Sequence, residues 1–114
     1  MSISHTDVGD NLRQIVILGR LDIVGTESIA GELEELAAAP KKGVIVDLSR
    51  LQFLTSIGIR ALFKNAKAVQ ERGGRMVLFV GTNSLVAMSL EATGLNSQIP
   101  MFKSNTEAAR AAVA

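Results

Sequence analysis

Two neighbouring hydroxyl side chains, Thr55 and Ser56, are the residues of this sequence best placed for chemistry. They stand between a strand pattern at Val44–Leu48 and a long helix pattern that begins at about Ser56. The first backbone N–H groups of a helix have no partner inside the helix, and the helix dipole makes that end partly positive. A phosphate on a hydroxyl there would be electrostatically favoured. The pair is therefore either a phosphorylation site or a helix N-cap.

Spacing alone favours the cap, because serine and threonine are preferred at the position before a helix. Gly58, inside the first turn, is unusual for a simple cap, since glycine costs a helix up to about 1 kcal/mol relative to alanine. A glycine would be explained if some group has to approach the backbone closely at this point.

Other reactive groups are sparse. The only histidine is His5, expected on the surface, and there is no cysteine, so neither a Ser-His-acid triad nor a histidine-rich or cysteine-ligated metal site can form. Asp22 and Asp47 are separated by a whole helix pattern, so the sequence does not establish the close spacing that paired acid-base chemistry needs. Residues 81–84, Gly-Thr-Asn-Ser, lack the glycine spacing and lysine of a P-loop and indicate a strand-to-helix turn with a cap. An enzyme is thus the weaker class of function, and neither cofactor nor metal is expected.

Composition indicates one compact domain. The chain has 114 residues, 47% of them hydrophobic, and a net charge of +1 from 12 basic and 11 acidic residues. No basic cluster and only 4% aromatic residues are present, so a nucleic-acid partner is not expected. The N-terminus lacks a signal-peptide pattern, and no apolar stretch is long enough to cross a bilayer. We expect a cytoplasmic protein without membrane insertion.

Alternating strand and helix patterns predict an α/β fold in the order β-β-α-β-α-β-α-β-α. The first two strands, at residues 3–8 and 12–18, flank a turn signal and should pair as a hairpin. The later alternation favours parallel strands with crossover helices. Val44–Leu48 has the apolar character of a central strand buried on both faces. We expect a mixed, mostly parallel sheet of about five strands with about four helices, in one domain over residues 1–114.

Caps and breakers indicate the helix boundaries. Thr26 is expected to cap the first helix, which Pro40 stops, and Ser104 opens a capping box before the last. Residues 51–54 are expected to be a link that tucks two apolar side chains under the sheet edge. The central helix, at about Ser56 to Glu71, has an apolar stripe of Ile59, Leu62, Phe63, Ala66 and Val69.

The helix predicted at 85–92 has two apolar faces. If Val86 and Leu90 point into the core, Leu85 and Met88 stay partly exposed beside Ser56 and can form a partner surface, to which flexible methionine is suited. The alternative is that Met88 fills a gap in the core.

The residues around the hydroxyl pair carry a resemblance to a known family. Residues 46–62, VDLSRLQFLTSIGIRAL, resemble the signature of the STAS domain of bacterial anti-sigma factor antagonists. Three further segments agree in the same order: LGRLD at 18–22, VAMSLEATGL at 86–95 and TEAA at 106–109. The resemblance extends from the second strand to the last helix and implies a STAS fold.

In that family a partner kinase, which is also the anti-sigma factor, phosphorylates a serine at the start of the central helix. Ser56 occupies that position, and the family's glycine falls on Gly58. An aspartate often precedes the serine, whereas this sequence has Thr55. The family's loop aspartate corresponds to Asp22, whose carboxylate could line the same end of the sheet. The expected partner-binding residues are Asp22, Thr55, Ser56, Ile57, Gly58, Arg60, Leu85 and Met88.

The resemblance implies partner switching. The unmodified domain would bind a histidine-kinase-like serine kinase and thereby free a sigma factor. Phosphorylation of Ser56 would release the domain, and a metal-dependent serine phosphatase would reset it. A phosphoserine carries about −1.5 to −2 charges at neutral pH, which is enough to disrupt a close-packed interface.

Two other functions stay open. A STAS subunit can serve a lipid-transport ABC complex or a large stress-sensing assembly without switching, and there the hydroxyl packs or caps. A small enzyme or nucleotide-binding domain belongs to a different class, and calorimetric titration with nucleotides would test it.

Overall fold

A mixed six-stranded sheet carries the four α-helices of the protein. The computed structural model describes residues 2–114. The strands are β1 (Ser2–Val8), β2 (Leu12–Leu21), β3 (Gly43–Asp47), β4 (Leu51–Leu54), β5 (Arg75–Phe79) and β6 (Met101–Phe102). The helices are α1 (Ile23–Ala37), α2 (Ser56–Glu71), α3 (Ser84–Ala92) and α4 (Asn105–Ala112), and a short 3-10 helix spans Leu95–Ser97. The predicted fold class and the predicted bounds of the central helix are confirmed.

The sheet has the strand order β1-β2-β3-β5-β6, and β4 pairs separately with β2. Strands β1 and β2 form the predicted antiparallel hairpin, whereas the other pairs are parallel. All five residues of β3 are buried, as expected for a central strand. Because the parallel strands point the same way, the segments that follow β2, β4 and β5 leave the sheet at one common edge.

Strand β2 is longer than predicted, because it continues past Gly19 to Leu21. Residues 12–16 pair with β3, and residues 19–21 pair with β4. The pairing register shifts between Gly19 and Arg20, and Gly19 has a φ of 104°. A positive φ suits glycine, so Gly19 forms a bulge at which the strand changes its partner.

The prediction for residues 51–54 was wrong in part, because they form strand β4 rather than a link. The two buried side chains are Leu51 and Leu54, while Phe53 is 45% exposed. A strand of four residues gives too short a pattern to be recognised by periodicity.

The N-cap of α1 was also predicted wrongly. Asp22, not Thr26, is the cap, and its Oδ1 accepts a hydrogen bond of 2.8 Å from the Gly25 N–H. The helix therefore starts at Ile23, and Thr26 is buried within its first turn. Aspartate is among the best N-cap residues, and here it competes successfully with a threonine four residues later.

Helices cover both faces of the sheet. The larger core cluster contains Leu33 of α1, Leu62 of α2 and Leu90 of α3, whereas Ala108 and Ala112 of α4 pack on Ile45 in a second cluster. The apolar stripe of α2 is narrower than predicted. Phe63 is 40% exposed, although it was expected in the stripe.

Candidate functional site

Ser56 is the first residue of α2 and lies where the chain leaves β4. Its side chain is exposed. The helix behind it is firmly packed, because Leu62 and Val69 of α2 are almost wholly buried. The hydroxyl is thus presented to solvent from a rigid element.

Thr55 occupies the N-cap position of α2, but its side chain makes no cap hydrogen bond. The hydroxyl donates instead to the Leu21 carbonyl at 2.7 Å, and the Thr55 N–H donates to the same oxygen at 3.1 Å. The predicted hydroxyl cap is therefore wrong: Thr55 ties the start of α2 to the end of β2. An ionised aspartate, which only accepts hydrogen bonds, could not make the side-chain bond.

This arrangement leaves the first turn of α2 without a side-chain acceptor. The first helical bond runs from the Ile59 N–H to the Thr55 carbonyl at 3.0 Å. The N–H groups before it, at Ile57 and Gly58, have no cap side chain, so the positive end of the helix dipole lies beside the Ser56 hydroxyl.

Removing the Thr55 hydroxyl should weaken the fold modestly. We expect Thr55→Val to lower the free energy of unfolding by about 1 kcal/mol, because the side-chain bond to Leu21 is lost while the shape is kept. Thr55→Ser is the matched control and should stay close to the wild type. Urea denaturation measures both, and equal stability of Thr55→Val and wild type would contradict the role given to this bond.

Gly58 is needed for close packing between α2 and β2. A Cβ placed on Gly58 would lie 2.8 Å from the Leu21 Cβ, 2.9 Å from the Leu21 carbonyl oxygen and 3.0 Å from the Leu54 Cδ1. The group that approaches the backbone here is therefore a neighbouring strand of the same chain. Thr55 and Gly58 together fix α2 on Leu21.

Asp22 follows Leu21 directly, so the structure brings it to the same edge of the sheet as Thr55 and Ser56. Strand pairing places Leu21 opposite Leu54, one residue before Thr55. The pKa of the Asp22 carboxyl is lowered, chiefly because it accepts a hydrogen bond from the Gly25 N–H and further because of Arg20. The Arg20 Nε lies 3.4 Å from the Asp22 Oδ2.

Helix α3 starts against β4. The Asn83 side chain caps α3 by accepting from the Val86 N–H at 3.3 Å, which confirms the cap predicted in this turn. Its Nδ2 lies 2.8 Å from the carbonyl oxygen of Leu51, where β4 begins, and 3.2 Å from that of Leu48. Asn83 therefore connects α3 to the segment that leads to Ser56.

The two faces of α3 are divided as the sequence suggested. Val86 and Leu90 are buried, while Leu85 is 70% and Met88 is 64% exposed. The alternative in which Met88 fills the core is excluded by this exposure. Of the remaining expected partner-binding residues, Arg60 is exposed and Ile57 is half-buried.

Three exposed apolar residues at this edge were missed by sequence reasoning. Ile23 is 60% and Val24 is 76% exposed in the first turn of α1, and Phe53 lies in β4 with the Arg20 guanidinium 4.4 Å from its ring centre. The wrong cap at Thr26 placed Ile23 and Val24 in a loop. Recognising Asp22 as the cap would have placed them in the first helical turn.

We use the name Ser56 face for Ser56 and the five exposed apolar side chains at this edge of the sheet. The five are Ile23, Val24, Phe53, Leu85 and Met88. They lie on segments that follow or belong to β2, β4 and β5 at their carboxyl ends. The strand topology brings these segments to one edge of the sheet. Across residues 2–114, no group of three or more metal-binding side chains is found. None of the helices in this part of the chain is long and apolar enough to cross a membrane.

No curated protein sequence matches the chain. Among solved structures, an anti-sigma factor antagonist from Mycobacterium paratuberculosis is 19% identical with a TM-score of 0.84, covering 97% of this chain and 94% of that one. The phosphorylated form of the Bacillus cell fate determinant SpoIIAA is 18% identical with a TM-score of 0.67, covering 94% and 96%.

The fold is not restricted to proteins described as antagonists. A sulfate transporter family protein from Wolinella succinogenes is 18% identical with a TM-score of 0.74, covering 94% of this chain and 88% of that one. At this identity the similarity demonstrates a shared fold. The family model described as STAS domain matches residues 5–108, which is most of the chain. This protein is therefore a member of the STAS domain family.

Proposed function

We propose that this STAS domain is an anti-sigma factor antagonist that binds an anti-sigma factor serine kinase and is released when Ser56 is phosphorylated. The observation that carries the proposal is the exposed Ser56 hydroxyl at the uncapped start of α2. A phosphate there can accept hydrogen bonds from backbone N–H groups of the first turn and is favoured by the helix dipole. The free domain therefore tolerates the modification without refolding.

The surroundings of Ser56 support a protein partner. At the same edge of the sheet, Leu85 and Met88 of α3 and Ile23 and Val24 of α1 offer exposed apolar area to an interface. The structural similarity to the phosphorylated form of SpoIIAA agrees with a fold that accommodates a phosphate. A metal-dependent serine phosphatase would restore the binding form.

The structure gives less support to the non-switching alternative. In that alternative the hydroxyl at this position packs or caps. Here the engaged hydroxyl is that of Thr55, whereas Ser56 is exposed. The packing role of that alternative therefore falls to Thr55, and the exposed Ser56 hydroxyl is left accessible to a kinase.

Incubation with the candidate kinase and ATP, followed by mass spectrometry, tests the proposal. We expect one phosphate on the wild type and none on Ser56→Ala. Thr55→Val is the matched control and should still gain one phosphate, because its hydroxyl is bound to Leu21 and is not the acceptor. Phosphate on Thr55, or no phosphate at all, would refute the proposal.

Met88 provides a test of the binding surface that leaves Ser56 intact. We expect Met88→Lys to weaken kinase binding by about tenfold or more, because a charge would replace apolar contact area in the interface. Ala38→Lys is the control, since it places the same charge at an exposed position just after the far end of α1. Calorimetry measures both, and unchanged affinity of Met88→Lys would remove α3 from the interface.

A further inference from the structure

A cleft of about 760 Å³ lies at the edge of the sheet opposite to Ser56. Its lining includes Lys42, Gly74 and Pro100, which directly precede β3, β5 and β6, together with the second half of α2 and the end of α4. It therefore lies at the amino ends of the parallel strands, away from the Ser56 face. Its volume is in the usual range of small-molecule sites.

One side of the cleft is apolar. Phe63 and Ala66 of α2 line it, and the Phe63 ring is 40% exposed although it belongs to a helix with a packed face. Met76 and Ile99, which also line the cleft, are almost wholly buried and thus form its floor. An aliphatic group in the cleft would cover Phe63 and remove apolar area from water.

The charged part of the lining is entirely basic. Lys42, Lys67 and Arg75 line the cleft, and its lining contains no aspartate or glutamate. The ion pairs found within residues 2–114 use Arg13, Arg20 and Lys41, so the three cations of the cleft have no carboxylate partner there.

The negative ends of nearby helices do not cancel these charges. Helices α2 and α4 end at the cleft, and each carboxyl end carries about half a negative charge. A chain that ends at Ala114 adds one carboxylate at the rim. Together these groups offset about two of the three positive charges. The cleft stays positive beside an apolar wall.

We propose that this cleft binds a small anionic amphiphile, with an aliphatic body on Phe63, Ala66 and the Met76–Ile99 floor and a carboxylate or phosphate at the cations. The proposal is independent of the proposed partner switching, because it uses none of the residues of the Ser56 face. It assigns a role to the exposed Phe63 and to three cations that no ion pair explains.

Titration of isotope-labelled protein followed by amide NMR tests the proposal. The probes are octanoate, octyl phosphate and the neutral 1-octanol, which share one aliphatic body. We expect octanoate or octyl phosphate to bind about tenfold or more tightly than 1-octanol, with shifts at the Gly73, Gly74 and Gln98 amides of the cleft. The tighter of the two anions identifies the head group. Equal binding of all three probes, or shifts elsewhere only, would overturn the proposal.

Matched variants separate the two parts of the site. The double variant Lys67→Gln, Arg75→Gln should bind the two anions about tenfold more weakly and 1-octanol as the wild type does. The control variant Lys64→Gln, on the same helix as Lys67 but outside the cleft, should leave the affinities for the anions and for 1-octanol unchanged. Phe63→Ala should weaken all three probes, and the comparably exposed Phe53→Ala should not. Wild-type affinity of the double variant would refute the anion site.

One further variant tests whether ligand binding in the cleft is independent of the proposed kinase binding at Ser56. Ser56→Asp should bind octanoate as the wild type does, since Ser56 lies at the other edge of the sheet. Loss of octanoate binding in Ser56→Asp would contradict the independence of the cleft. A failure of kinase binding would leave the NMR result unaffected.

Discussion

Ser56→Asp should bind the kinase about 100-fold or more weakly than the wild type. An unpaired charge buried in an interface costs about 2–5 kcal/mol, which corresponds to factors from about 30 to several thousand in affinity. The residue lies at the same edge of the sheet as the exposed apolar side chains of the Ser56 face, so a partner that covers this edge would remove water from the carboxylate. Calorimetry or surface plasmon resonance with the purified kinase measures the difference.

The folded domain itself should tolerate this change. A carboxylate at the first position of α2 interacts favourably with the helix dipole, by about 0.3–1 kcal/mol, so the melting temperature should change little or rise slightly. Loss of binding then reports on the interface and not on unfolding.

Ser56→Asn is the matched control for shape. Asparagine has nearly the size of aspartate but no charge, and we expect its affinity to stay within a few-fold of the wild type. If asparagine weakened binding as much as aspartate, the cause would be steric and the electrostatic account of release would be wrong. Wild-type affinity of Ser56→Asp would refute it directly.

Gly25→Ala should be the most destabilising single-methyl change in the chain. An added Cβ would lie 1.8 Å from the Arg20 carbonyl oxygen, which is a backbone atom and cannot turn aside. The start of α1 must therefore shift, together with the hydrogen bond between Asp22 and the Gly25 N–H. Overpacking of this kind costs about 1–3 kcal/mol, and we expect the upper end, which lowers the melting temperature by roughly 10 °C.

Gly31→Ala in the same helix is the control. Gly31 is exposed, and an added Cβ would meet no atom within 4 Å. Alanine is favoured over glycine in a helix by up to about 1 kcal/mol, so this variant should be more stable than the wild type. Thermal and urea denaturation compare the two, and similar stability of both variants would show that Gly25 is not sterically required.

Sequence patterns predicted those helices and strands whose structure is determined by residues within the same segment. The buried strand at β3 and the helix over Ser56–Glu71 follow from apolar runs and periodicity within a single segment. The exposure of Leu85 and Met88 follows from helical spacing once Val86 and Leu90 are buried. Gly58 was recognised as a point of close approach because glycine is unfavourable in a helix without such a reason.

Features that depend on distant segments were not predictable in the same way. The Thr55 hydroxyl bonds to a carbonyl 34 residues earlier in the chain, and no local pattern distinguishes that bond from a cap. Strand β4 exists because the end of β2 is free to pair with it. Phe63 has the helical spacing of the core residues of α2. It nevertheless lines a cleft, and the other elements of that cleft are distant in sequence, so the pattern within α2 could not reveal it.

The change of partner along β2 divides the sheet into two units of unequal stability. Residues 12–16 are held between β1 and β3, whereas beyond the Gly19 bulge only residues 19–21 hold β4. Local opening costs less free energy where fewer backbone bonds and buried contacts must break. Strand β4 is therefore expected to open at a lower free energy than the central strands, while Thr55 and Gly58 hold the first turn of α2 on Leu21.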